Sequence, residues 1–229
     1  YEANPALPGI RFNETSAVGF HYRKNYLTPY WNPVGGFRWD VWYQGGAAMQ
    51  PTTVGMQELS SQFSFVTPLP DLSAPAAKLP WLANSLHWLA RSRLAFRAFG
   101  GTSMPGRGEF FSMGGSMYFR GFNLTQRQGS SIWVASVEWR LPVARGLHLD
   151  FCDHVMSLHG IDVVPFSDVG NVYVSGREVG PTAYDVGASL RFDVSWLSFV
   201  ERTLLRFDIA KTVNVNSGVQ FWFGVGVPF

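Results

Sequence analysis

Phe110-Phe111-Ser112-Met113-Gly114-Gly115-Ser116-Met117-Tyr118-Phe119-Arg120-Gly121-Phe122 lies near the middle of a chain of 229 residues. Strand-like segments flank it, yet it is too rich in glycine and aromatic residues for an ordinary solvated loop. Arg120 stands alone among apolar neighbours. A buried cation requires an anion, so the chain should supply a carboxylate to meet it.

The composition narrows where such a loop could sit. Glycine (24), Phe (19), Trp (9) and Tyr (8) are abundant, and only 15% of residues are charged, against about 25% in a soluble domain. No run of about 18 apolar residues offers a membrane helix. Dispersed apolar residues with many aromatics and glycines suit an all-β protein, and a transmembrane β-barrel in particular. The net charge of +2, with no basic stripe, does not suggest nucleic acid. A single cysteine, Cys152, excludes an internal disulfide. Tyr1 opens the chain without a charged and apolar leader, so a removed signal peptide or a longer polypeptide is expected.

Outward from the central stretch the sequence alternates. Before it, Val18, Phe20 and Tyr22 oppose Gly19 and His21. Phe37, Trp39, Val41 and Tyr43 oppose Arg38, Asp40, Trp42 and Gln44, with Gly45-Gly46 expected to end that strand. Leu59, Phe63 and Phe65 oppose Gln62 and Ser64, within a strand over Glu58–Val66. Leu94, Phe96 and Ala98 oppose Arg93, Ala95 and Arg97. Residues 68–90 carry four prolines and then Trp81–Leu89, which reads as a turn holding a short interfacial helix.

After the stretch, Trp133, Ala135, Val137, Trp139 and Leu141 oppose Val134, Ser136, Glu138 and Arg140 in a strand over Ile132–Leu141. In Gly160–Val174, Asp162, Phe166, Asp168 and Gly170 oppose Ile161, Val163 and Val169. Further strands run over Tyr184–Val194, Leu205–Val213 and Val219–Phe229, each with one apolar face. The fold class expected is all-β, an antiparallel transmembrane β-barrel region of about nine strands, four before the central stretch and five after it. The whole of 1–229 reads as one domain.

Alternation alone does not say which face is wet. Three features favour a barrel in lipid over a soluble sandwich: strands of about ten residues, enough for a tilted span; mixed Arg and Asp or Glu on the polar faces; and a last strand with Phe221, Phe223, Val227 and Phe229 on one face. That ending resembles the β-signal of bacterial outer-membrane proteins.

Phe119-Arg120-Gly121-Phe122 resembles the loop motif of the outer-membrane assembly barrels, the BamA-like surface-antigen superfamily, which includes the two-partner secretion transporters. Phe166-Ser167-Asp168-Val169-Gly170 matches the F-x-D-x-G strand pattern of that family, and Ser136-Val137-Glu138-Trp139-Arg140 is similar to its glutamate-bearing strand. The likeness is good over residues 91–229 and rests on strand pattern alone over 1–90. It implies that Arg120 folds into the lumen and meets Asp168 together with Glu138. It also implies a sixteen-stranded barrel, of which this chain holds the C-terminal part, the other strands lying upstream or on partner chains. The implied location is the bacterial outer membrane. The implied partners are the lipid bilayer and the outer-membrane or secreted proteins that the barrel inserts or exports. A barrel that anchors and exports its own N-terminal passenger, such as a patatin-like enzyme, and a structural barrel completed by partner chains are the alternatives.

Other candidates are weaker. His148, Asp150, Asp153, His154 and His159 fall near an expected turn, but their spacing matches no metal-ligand pattern, and they read as polar turn residues. Cys152 in that turn reads as inert. Asn123-Leu124-Thr125 fits a glycosylation sequon, a common chance match. With no nucleophile–base pair, phosphate loop or zinc motif, neither an enzyme nor a cofactor is expected.

Overall fold

The computed structural model of the chain describes residues 14–226, apart from 51, 106–110, 152, 154 and 197–199. Phe110, Cys152, His154, Val227 and Phe229 therefore lie outside the described residues.

One antiparallel sheet forms the wall. Its first four strands are β1 (Glu14–Asn25), β2 (Gly36–Gln50), β3 (Thr52–Pro68) and β4 (Arg93–Met104). The connection that follows holds a small hairpin of β5 (Phe111–Met113) and β6 (Arg127–Gly129). The wall resumes with β7 (Ser131–Phe151) and β8 (Met156–Val174), whose end carries the two-residue β9 (Arg177–Glu178). It continues through β10 (Ala183–Trp196), β11 (Val200–Thr212) and β12 (Gln220–Val225). The strand order is β1-β2-β3-β4-β7-β8-β10-β11-β12, and among the described residues no pairing joins β1 to β12. The sheet is therefore open.

Two expectations about strand limits are corrected. Gly45-Gly46 does not end β2. The ladder runs on to Gln50, with Gly46 facing Ala17, and a Cβ on Gly46 would lie 2.0 Å from the Ser16 carbonyl oxygen. The glycine permits close approach of two backbones in mid-strand. The β7–β8 pair is also much longer than the alternation suggests. Pro142 and Gly146 interrupt the pattern, but register shifts after Pro142 and after Arg145 absorb them and pairing resumes at Leu149. Bulges of this kind let a ladder pass a proline or a glycine.

The two faces have opposite chemistry. Outward side chains are apolar and exposed, among them Val18 at 83% and Phe221 at 74%. Inward side chains are charged and buried: Asp40, Glu138, Asp168 and Asp185 are each 0% exposed, and Arg140 and Arg191 nearly so.

The sheet also curls. Six strand spacings of about 4.8 Å separate β2 from β11, roughly 29 Å if flat. Yet the guanidinium of Arg202, at the start of β11, lies 5.7 Å from the ring of Trp31, in the loop before β2. Asn32 of the same loop donates to Asp162 of β8 at 3.3 Å. At this end of the sheet the β3–β4 connection forms helices α1 (Ser73–Lys78) and α2 (Ala83–Leu89) with a 3₁₀ turn over Pro80–Leu82 between them. No residue of α2 is buried, and Trp81 projects at 78% exposure. Trp88 is tied back by its indole N–H to the Pro142 carbonyl, at 2.7 Å.

Candidate functional site

The connection between β4 and β7 folds back onto the inner face. Apolar contact drives it there. Phe119, Phe122 and Met113 are fully buried and pack with Phe99 of β4, Ile132 and Val134 of β7, Val172 of β8 and Ala183 of β10. Fully burying side chains of this kind contributes roughly 1.5–3 kcal/mol each. The backbone then approaches the wall closely. A Cβ on Gly121 would sit 2.6 Å from Cβ of Asp185, so only glycine fits.

This docking carries Arg120 into the wall. Nε and Nη2 donate to the two carboxylate oxygens of Asp168, at 2.9 and 2.7 Å, and Nη1 donates to Glu138 at 2.8 Å. The Arg120 backbone N–H reaches Asp168 as well, at 3.2 Å. The guanidinium carbon lies 3.3 Å from the centroid of the Phe166 ring. A planar fork on one carboxylate, stacked on an aromatic face, is a geometry that lysine could not reproduce. Burial by itself would lower the Arg120 pKa, but the neighbouring Asp168 charge and its hydrogen bonds outweigh that and the net shift is upward. Arg120 is a permanent cation here.

Glu138 is shared. Besides Arg120 it accepts from Arg191 at 2.7 Å and from Arg140 at 3.1 and 3.2 Å. Three guanidiniums thus converge on one carboxylate from the loop, from its own strand and from β10. Arg97 of β4 secures the loop from the other side, donating to the Tyr118 carbonyl at 3.0 Å, to the Met117 carbonyl and to Ser136 Oγ at 2.9 Å.

The structure thus brings Phe119, Arg120, Gly121, Phe122, Glu138, Phe166 and Asp168 together. Gly170 stands further along β8, level with Val134 and Ala183, beside the aromatic cluster rather than at the ion pair. Phe221 and Phe223 lie on the outward face of β12, and Val227 and Phe229 are outside the described residues. The expected turn lies between β7 and β8, with Asp153 in it, but the flanking residues are not turn residues: His148 and Asp150 belong to β7 and His159 to β8. The two imidazoles stand edge to face at 6.1 Å, His159 pairs with Ser195 at 2.9 Å, and among the described residues no group of three or more metal-type ligands assembles.

Two residues of the site escape sequence reasoning. Asp185 of β10 accepts from the Gly121 N–H at 2.6 Å and from the Asp168 N–H at 2.9 Å. One carboxylate therefore holds both the loop and the strand that the loop docks on. Trp222 of β12 points inward between the two outward phenylalanines, and its indole N–H donates to the Arg120 carbonyl at 2.7 Å. In the sequence Asp185 is one more polar residue in an alternating strand, and Trp222 one more aromatic in an aromatic strand. The only signal was their inward register.

No family model matches the chain, and no curated protein matches it. Among solved structures, the crystal structure of BamA from Haemophilus ducreyi lacking POTRA domains 1-3 is similar, with a TM-score of 0.58 and 16% sequence identity. The match covers 92% of this chain and 41% of that chain. At that identity the likeness is one of fold: nearly the whole chain adopts the architecture of part of a BamA chain, and spans less than half of its length.

Proposed function

We propose that this chain is part of the wall of a bacterial outer-membrane β-barrel of the assembly and translocation class, which inserts or exports other proteins. The observation that carries the reading is the Arg120 contact with Asp168 and Glu138. A loop arginine is locked to two neighbouring strands on the charged inner face of a sheet whose outer face is apolar. In lipid the outer face is solvated by acyl chains, while the inner charges pair across a lumen. The likeness of fold to BamA supports the class. Unpaired sheet edges are not tolerated in the hydrocarbon region, so further strands, from the same polypeptide or from partner chains, complete the wall between β1 and β12.

The test has two stages. The protein, expressed with whatever sequence naturally adjoins it, should fractionate with outer membranes and migrate faster on a gel before boiling than after. Reconstituted into liposomes, it should then accelerate insertion of an urea-unfolded barrel substrate, and Arg120→Ala should abolish the acceleration. Recovery as a water-soluble monomer without detergent would end the membrane reading. Stable insertion with no effect on substrate would end the assembly reading alone.

A further inference from the structure

At the end of the sheet opposite the docked loop lies a second, unrelated arrangement of charge. The β1–β2 loop folds over the starts of β4 and β11 and the ends of β7 and β10, enclosing an open cavity of about 480 Å³. Its cationic side is formed by Arg91, Arg93, Arg145 and Arg202, and its apolar side by Trp31, Val34 and three prolines.

Three of the four arginines are held in place rather than free to wander. Arg93, 5% exposed, is clamped through Nη1 by the Asn32 side-chain and backbone oxygens, at 3.1 and 3.3 Å, and by the Pro33 carbonyl at 2.8 Å. Arg145 donates to Asp162 through Nη2 at 2.6 Å, and no other nitrogen of that guanidinium has an acceptor among the described residues. Arg202 makes a two-point contact with Asp193, at 2.9 and 3.2 Å, beside the Trp31 ring. Arg91 is exposed at the rim and its side chain has no partner among the described residues. Four cations face two carboxylates, Asp162 and Asp193, and the surplus is two positive charges.

We infer that this mouth is a binding site for an acidic segment of another polypeptide, a carboxylate side chain flanked by an apolar or aromatic one. Guanidinium forks match carboxylates in geometry as well as charge, and the proline and tryptophan wall gives the neighbouring side chain an apolar surface. A bare inorganic anion would use the cations and leave that wall empty. The cavity opens on the inner face, not the apolar outer one, so its ligand arrives from water. The inference rests on the reading of the chain as a barrel that handles polypeptides, and it names where at one mouth such a chain is first held.

The test uses the whole chain in detergent micelles and a fluorescein-labelled hexapeptide of alternating Glu and Phe, followed by anisotropy at low salt. The wild type should bind it, and the matching Gln–Phe peptide should bind about tenfold more weakly. The double variant Arg91→Glu with Arg145→Glu should lose about tenfold or more while keeping its heat-modifiable migration. Raising salt should weaken the acidic peptide more than the neutral one. If the double variant does not fold, Arg91→Gln, an exposed rim change, carries the comparison and should cost a smaller but measurable part of the affinity. Equal binding of the two peptides, or binding unchanged in a folded variant, overturns the inference. So does displacement of the peptide by equimolar phosphate or by anionic lipid vesicles, either of which would make this a small-anion or headgroup site. A chain that inserts and is heat-modifiable yet ignores the peptide refutes this site alone, whereas one that never enters a membrane refutes the barrel reading first.

Discussion

The wall divides into two regions that share one sequence pattern and differ in what covers it. In β1–β3 the inward charges are paired locally. Asp40 is buried beneath His21, Arg23 and Arg38, on its own strand or the next, and Gln44 donates to Glu58 on the adjoining strand at 2.6 Å. Half of the Arg23 side-chain surface remains open. Beneath the connection between β4 and β7 the charges are dry, and their partners lie as far apart in the chain as Glu138 and Arg191. The difference is the docked loop. It brings its own cation, its own aromatic lid and its own backbone donors. Alternation builds a charged inner face everywhere, but only the loop turns part of that face into a rigid, water-excluding core.

The two regions should differ most at Asp168. Asp168→Ala strands Arg120 without its main partner, and removing one member of a buried pair costs about 3–5 kcal/mol. Unfolding in micelles, followed by gel mobility against temperature, should show that loss, and Arg120→Lys, which keeps the charge but not the fork, should show most of it as well. A variant as stable as the wild type would mean that the lock adds nothing to the wall. Gly121→Ala comes next, because its methyl group collides with Asp185. Overpacking of that kind costs about 1–3 kcal/mol, and limited proteolysis should find the 105–130 connection newly accessible.

Trp222→Phe keeps an aromatic side chain and deletes one donor to a buried carbonyl, a loss of about 1 kcal/mol. It should loosen β12 before the rest of the wall, visible as faster amide exchange confined to that strand. In the open region, Arg23→Ala removes a half-exposed partner of Asp40 and should cost between about 0 and 1 kcal/mol, less still in high salt. If Arg23→Ala proved as damaging as Asp168→Ala, the distinction between the two regions would collapse.

Much of the wall was legible in the sequence because apolar and charged or polar residues alternate along its strands. Phe96 and Arg97, or Val137 and Glu138, cannot share a face of a strand. Strand lengths were less legible: Pro142 and Gly146 look like terminators, and only the partner strand shows that the ladder bulges around them. At the site, Arg120 is visible in the sequence as an isolated cation among apolar residues, and the motif resemblance points to Glu138 and Asp168 beside it. Asp185 did not stand out, because its task is to accept backbone N–H groups, which leaves no mark on the residue types around it. The mouth cavity was equally silent. It assembles Asn32 of the β1–β2 loop with Arg93, Asp162 and Arg202 from distant strands, and only the curl of the sheet makes them neighbours.

The count of strands in the wall has a directional consequence. Among the described residues, the nine strands on the path from β1 to β12, with β9 paired only to the end of β8, are joined antiparallel throughout, which leaves β1 and β12 running the same way. Bending such a strip until its own edges meet would force a parallel seam. So would setting two copies edge to edge with both inserted in the same sense. A closed, wholly antiparallel wall therefore requires an odd number of added strands, with the first and last of them both running against β1 and β12. The parity of this strip dictates the parity of whatever completes it.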